Sequence, residues 1–300
     1  MGETNAVPLL YLIDALPYVF RAYFALPQRL SAQGHPVHAV YGFATFLIQL
    51  LRQEPLTHIG VAFDESLTTS FRNDTFPPYK TNRELPPPEL EQQLNYCHAV
   101  ARALGLPVFA DQRYEADDLV GTLAQQAVQQ GIDVVVVSND KDLMQLVSPH
   151  VSFYDFARGR RYQIDEVTAH MGVLPEQIPD LLGLQGDAVD NIPGVKGVGA
   201  KTAVALLQAF PSIEAIYADL DRVETLPIRG AKSLRRKLAS ERHNALLSKE
   251  LATLATDAPA VYDAEVFRYR GAVASAIDPL WEELGFQRLR PRIPHWQPEG

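Results

Sequence analysis

Val134-Val-Val-Val-Ser-Asn-Asp-Lys-Asp142 is the stretch that decides the fold: four branched apolar residues run straight into a serine, an asparagine and two spaced aspartates. A short valine run bounded by polar turn residues reads as a strand buried on both faces. Two other stretches repeat the pattern, Leu9–Ile13 running into Asp14 and Ile59–Phe63 into Asp64. Between the strands, Val40, Phe43, Ala44, Leu47, Leu50 and Leu51 fall at helical spacing, as do Leu90, Leu94, Cys97, Ala101 and Leu104. A further helix is expected from about Asp117 to Gln130, and a weaker strand at Pro107–Ala110. Strands alternating with helices predict a parallel α/β sheet covered by helices on both faces. After Asp165 strand signals fade, and the chain reads as helices with short turns to about Leu254. The expected division is therefore an α/β region, 1–165, and a helical region, 166–300, with a loose proline-bearing tail from Pro291.

The chain has 300 residues, of which 47% are hydrophobic and 21% charged, the composition of an ordinary globular protein. Its single cysteine, Cys97, excludes an internal disulfide and fits a cytoplasmic protein. No apolar run approaches the roughly 18 to 20 residues needed to span a bilayer, so no membrane partner is expected. The apolar stretch Val7–Phe20 holds Pro8, Asp14 and Pro17 and lacks a basic start, so it does not read as a signal peptide. A net charge of −9 lowers the expectation of nucleic-acid binding, unless the acids gather around cations and the bases lie elsewhere.

In an open parallel sheet, ligands bind beyond the carboxyl ends of the strands. Asp14, Asp64, Asp140 and Asp142, each just after a strand, are therefore expected to converge. Glu115, Asp117 and Asp118 open the helix after the weaker strand and point to the same edge. Asp187 and Asp190, three apart, would share one face of a helical turn. Singly, each of these acids could be a turn residue or a helix cap. Together that reading weakens. Two carboxylates at about 4 Å repel by roughly 4 kcal/mol at an effective dielectric near 20, so nine of them require bound cations. All-oxygen ligation predicts a hard ion, Mg²⁺ or Mn²⁺, and two such ions are the equipment of phosphodiester hydrolysis.

The connection from Asp64 to Pro88 is long for a compact α/β domain and reads as a functional lid. It carries Phe71, Arg72, Phe76, Tyr79, Lys80 and Arg83, with Pro77, Pro78 and Pro86–Pro88 stiffening it. Tyr79 beside Lys80, with Arg72 and Arg83, pairs a stacking surface with phosphate partners. Further on, Gly194-Val-Lys-Gly-Val-Gly-Ala-Lys-Thr202 is neither a nucleoside-triphosphate loop nor a dinucleotide fingerprint, so no nucleotide cofactor is expected. It fits a tight turn between helices, seating a backbone phosphate on Gly194, Gly197, Gly199 and Thr202 with Lys196 and Lys201 adding charge. Arg229, Lys232, Arg235, Arg236 and Lys237 form a second cationic run, either a DNA contact or a solvated helix face.

The order I-D (13–14), F-D-E (63–65), F-R (71–72), Y-K-x-x-R (79–83), Y-E-A-D-D (114–118), S-N-D-K-D (138–142) and G-D-A-V-D-N-I-P-G-V-K-G-V-G-A-K-T (186–202) resembles the bacterial 5′ nucleases and the wider flap endonuclease superfamily. The resemblance covers about Leu9 to Leu254 and is to the free-standing kind, since no polymerase follows. It implies a PIN-like core (1–165) with a helical arch (about 64–95), then a helical region (166–300) holding a helix–three-turn–helix motif near 180–210. It implies that Asp14, Asp64, Glu115, Asp117 and Asp118 serve a first metal site and Asp140, Asp142, Asp187 and Asp190 a second. Lys80 and Arg83 would contact the scissile phosphate, and a potassium ion would sit on the 194–199 hairpin. Where the family usually has glycine after the first aspartate, this chain has Ala15, followed by Leu16-Pro17. The expected activity is Mg²⁺-dependent cleavage of DNA at 5′ ends and 5′ flap junctions by a monomer. The alternatives are a structure-specific DNA-binding protein with weakened chemistry and an RNA-directed nuclease on the same core.

Overall fold

The computed structural model describes residues 8–65, 69–83 and 86–298. Its strands, in chain order, are β1 (Leu9–Asp14), β2 (His58–Asp64), β3 (Val108–Asp111), β4 (Asp133–Val137), β5 (Val151–Asp155) and β6 (Arg160–Tyr162). They form one sheet in the order β3-β2-β1-β4-β5-β6, parallel except for β6, which returns antiparallel to β5. β1 lies between β2 and β4, with Ile13 opposite both Val61 and Val137. The chain therefore steps outward from β1 to β3 and then crosses back to β4, making the β1/β4 edge the switch point where ligands bind in such sheets.

Alternate residues of the central strands enter two separate cores. Leu10, Leu12, Val134 and Val136 pack with the helix Ala116–Gln129 and with much of the helical region. Tyr11, Ile13, Val135 and Val137 pack with the helices His38–Gln53 and Pro88–Ala103. A slip of one residue would exchange these faces, so the register is strongly specified.

The expected strands and helices are present within a residue or two, but three readings need correction. β5 and β6 are strands that the sequence does not announce, because Val151-Ser-Phe-Tyr-Asp is short and alternates weakly. Of the arch expected at about 64–95, the described residues hold one helical turn, Arg72–Thr75, and the start of the helix Pro88–Ala103; 66–68 and 84–85 lie outside the described residues. The stretch 166–300 is not one helical region. The helix Ala274–Leu284 returns to the sheet, where Ile277, Trp281 and Leu284 complete the core containing Tyr11 and Ile13. The tail is held rather than loose: Ile293 is buried, and Gln297 N donates to Ala272 O at 2.9 Å.

Candidate active site

The carboxyl ends of the strands open into a cleft of about 510 Å³. Eight of the nine expected acids line it: Asp14, Asp64, Glu115, Asp117, Asp140, Asp142, Asp187 and Asp190. Each reaches it by a local rule. Asp14 and Asp64 are the last residues of β1 and β2. Glu115 and Asp117 open the helix after β3, where the helix dipole favours negative charge. Asp140 caps the 3₁₀ turn Lys141–Leu146 by accepting from Asp142 N at 3.0 Å. Asp187 and Asp190 are not on a helical turn as expected; they lie in a loop closed by reciprocal bonds between the Asp187 and Ile192 backbones.

Asp118 is the ninth, and it is not in the cleft. Fully buried, it takes Arg72 in a bidentate pair at 2.7 Å on each oxygen and also accepts from Glu115 N and Ala255 N. With both oxygens engaged it has nothing to offer a metal, and its assignment as a ligand is withdrawn. The spacing of Glu115 and Asp118, three apart at a helix start, suits one arm of a capping box, in which Asp118 accepts from Glu115 N. Arg72 is correspondingly no DNA contact, being 2% exposed and spending its remaining donors on Leu251 O and Thr253 O. Tyr79 is likewise buried, its hydroxyl 3.2 Å from Glu115 Oε2, which leaves no open stacking face.

Cation and anion meet at two points across the cleft. Lys80 Nζ donates to Glu115 Oε2 at 2.5 Å and lies 3.8 Å from Asp190 Oδ2. Arg83 pairs with Asp190. Lys80 and Arg72 outweigh the cost of burying Glu115 and hold its carboxyl below the usual range. Five of the acids are pushed the opposite way. Burial, reinforced by Asp64 and Asp140, raises Asp14 to about 8, although Ser138 Oγ donates to it at 2.8 Å. Burial with Asp140, Asp187 and Asp190 raises Asp142 to about 8 as well. Burial also raises Asp64, Asp117 and Asp140. Ser138, which fixes both Asp14 and Asp140 N, was not singled out from the sequence, though it directly follows the Val134–Val137 run.

These groups suit a divalent cation in donor chemistry: they are carboxylate oxygens, they outnumber the bases facing them, and five of them are raised by burial and by one another. Among the described residues no three acids are gathered tightly enough to hold an ion as placed. Glu115 and Asp190 are taken by Lys80 and Arg83, so an ion entering here would exchange one set of cations for another.

The glycine-rich segment forms the expected hairpin, between the helices Ile178–Gln185 and Ala200–Ala209. Gly194 has φ +62, and a Cβ there would come within 2.3 Å of Gly186 N, so only glycine fits. Val195 and Val198 anchor the hairpin in the core, while Lys196, Gly197, Gly199 and Lys201 face outward and Thr202 is half-buried. In the second cationic run, Arg235 pairs with Asp221, whereas Lys232, Arg236 and Lys237 stay exposed. Ala15 has φ −80 and ψ −40, ordinary helical backbone, and Pro17 stands in the first turn of the helix Leu16–Ala25, so neither strains the Asp14 site.

Two family models match the chain: the 5′-3′ exonuclease N-terminal resolvase-like domain over residues 9–172, and the 5′-3′ exonuclease C-terminal SAM fold over 173–274. The chain is 43% identical over 282 residues to DNA polymerase I of Bacillus caldotenax, covering 93% of this chain and 31% of that protein. It is 40% identical over 288 residues to DNA polymerase I of Bacillus subtilis, covering 95% and 32%. The chain thus spans about a third of the length of these relatives. In fold it is similar to the T5 D15 protein co-crystallised with metal ions, with a TM-score of 0.69 at 22% identity over 83% of this chain and 90% of that one. It is also similar to the catalytic core of Rad2 in complex with DNA substrate, with a TM-score of 0.63 at 14% identity over 95% and 91%. No helix among the described residues is long and apolar enough to cross a membrane.

Proposed function

Because the chain belongs to the 5′-3′ exonuclease family, we propose that its cleft hydrolyses DNA phosphodiesters at 5′ ends and at junctions of a 5′ single strand with duplex, with Mg²⁺ as cofactor and Mn²⁺ able to replace it. The observation that carries this is the meeting of eight sequence-distant carboxylates with Lys80 and Arg83 in one cleft. Asp14, Asp64, Glu115 and Asp117 would hold one ion and Asp140, Asp142, Asp187 and Asp190 the other. Bound there, divalent cations supply an acidified water and a positive field at the scissile phosphate. Lys80 and Arg83, exchanging Glu115 and Asp190 for the substrate, neutralise charge developing on the phosphoryl oxygens. The product carries a 5′ phosphate. The Gly194–Gly199 hairpin, with Lys196, Lys201 and Thr202, would grip the duplex backbone without reading sequence, and the implied potassium ion belongs to that same proposal. A DNA substrate and one buried, unpaired cysteine fit a cytoplasmic monomer.

The test is a labelled 5′ flap incubated with the purified protein in Mg²⁺ and in EDTA. Cleavage in Mg²⁺ alone is expected, and Lys80→Ala should slow the single-turnover rate by roughly 10²-fold with flap affinity changed only several-fold. Flap binding without any cut in Mg²⁺ or Mn²⁺ would replace this reading with that of a structure-specific binder. Preferential cutting of an RNA flap would redirect it to RNA.

Metal binding should also be visible in stability. Asp14 binds its proton more tightly folded than unfolded, so the metal-free protein loses stability as pH rises from about 4, where the unfolded group ionises, to about 8, where the folded one does. A divalent cation replaces that proton. The rise in unfolding temperature on adding Mg²⁺ is therefore expected to be larger at pH 8 than at pH 5.5. A rise that is equal or smaller at pH 8 would place the ions outside this cleft.

A further inference from the structure

Among the described residues, only two that are not glycine have left-handed backbone: Lys80, with φ +56, and Asn191, with φ +58. Such residues are uncommon, and they persist where surrounding bonds over-determine them. Here both belong to one junction. Lys80 N donates to Asp190 O at 3.0 Å, and Asn191 Nδ2 returns a bond to Pro78 O at 2.7 Å. Asn82 Nδ2 adds a third crossing, to Ala188 O at 2.8 Å, while Asn73 Nδ2 holds Tyr79 O at 2.8 Å from the other side. The backbone on both sides of Lys80 is thus fixed by side chains whose hydrogen bonds go to backbone carbonyls rather than to the acids of the cleft.

We propose that Asn191 is a positioning residue for Lys80, strapping the 78–82 segment to the 187–192 loop so that the Lys80 ammonium is aimed between Glu115 and Asp190. This deepens the nuclease reading and rests on it. The strap has a further property. Asn191 leads within three residues into Gly194, the start of the hairpin proposed to hold duplex DNA. A phosphate backbone seated on the hairpin would therefore bias the same loop that places Lys80, tying chemistry to correct docking of the duplex.

The experiment uses Asn191→Gly, since glycine accepts a φ of +58 and loses only the side-chain bond. Wild-type flap cleavage in Mg²⁺ tests the underlying reading, and the variant tests the strap. Unfolding temperature and duplex affinity should be unchanged. Single-turnover flap cleavage should fall by roughly tenfold to a hundredfold with the loss in kcat rather than KM. In a Lys80→Ala background the same substitution should have no further effect. Trypsin provides a readout free of metal and catalysis: cleavage after Lys80 in EDTA should be about fivefold faster in Asn191→Gly than in wild type. An unchanged rate and digestion pattern, a loss in KM alone, or an undiminished effect in the Lys80→Ala background would overturn the proposal. A wild type that cuts no flap, with the trypsin difference intact, would sink the nuclease reading and leave the strap standing.

Discussion

Asp14→Asn is expected to lower Mg²⁺-dependent flap cleavage by at least about 10³-fold while raising the unfolding temperature of the metal-free protein at pH 8. The two effects share one cause. Asp14 is 6% exposed and faces Asp64 and Asp140, so its negative charge is held at a cost that burial and like charge impose together. An amide of the same shape removes the charge, keeps an oxygen for Ser138 Oγ, and removes the attraction for a cation. Asp142→Asn should behave likewise, because burial with Asp140, Asp187 and Asp190 burdens it in the same way. Flap binding in Ca²⁺, measured by fluorescence anisotropy, should stay within several-fold for both. If Asp14→Asn cut at the wild-type rate, the metal assignment would fail; if it only lost stability, Asp14 would be a structural acid.

Arg72→Ala should behave in the reverse manner, unfolding the protein rather than weakening its hold on DNA. The substitution strands Asp118, 0% exposed, without its bidentate partner and leaves Leu251 O and Thr253 O without their donors. Breaking a buried pair from one side costs about 3–5 kcal/mol. Denaturant unfolding should show that loss, and Asp118→Ala should show one of similar size. Replacing both residues with apolar ones of similar volume should recover much of it, since the second uncompensated charge is then gone. A stable Arg72→Ala protein with weakened flap affinity would restore the DNA-contact reading that the structure withdraws.

The sequence made the acids legible because each obeys a local rule: a strand ends, an aspartate follows, and parallel neighbours carry all the ends to one edge. Asp14, Asp64, Asp140 and Asp142 needed nothing else. Asp117 and Asp118 show the limit of that rule. Adjacent in sequence, they part by about 100° on a helix, and only the tertiary neighbour Arg72, 46 positions away, decides which enters the core. Tyr79 misled for a similar reason. An aromatic beside a lysine suits a base-stacking loop, but equally an aromatic that buries its ring and spends its hydroxyl on Glu115. Asn191 could not be read at all, since its partner Pro78 lies 113 residues earlier and the bond depends on a backbone angle that no composition signals.

The return of Ala274–Leu284 to the sheet has a consequence for biosynthesis. Trp281 and Phe286 close a face that Tyr11, Ile13 and Phe43 present from the other end of the chain. A ribosome adds roughly 5–20 residues per second, so that face stays wet for many seconds while the intervening helices are made. The nascent α/β layer must wait, partly open, for the last pieces of its own wall, and during that interval it offers chaperones a hydrophobic groove that the finished molecule conceals.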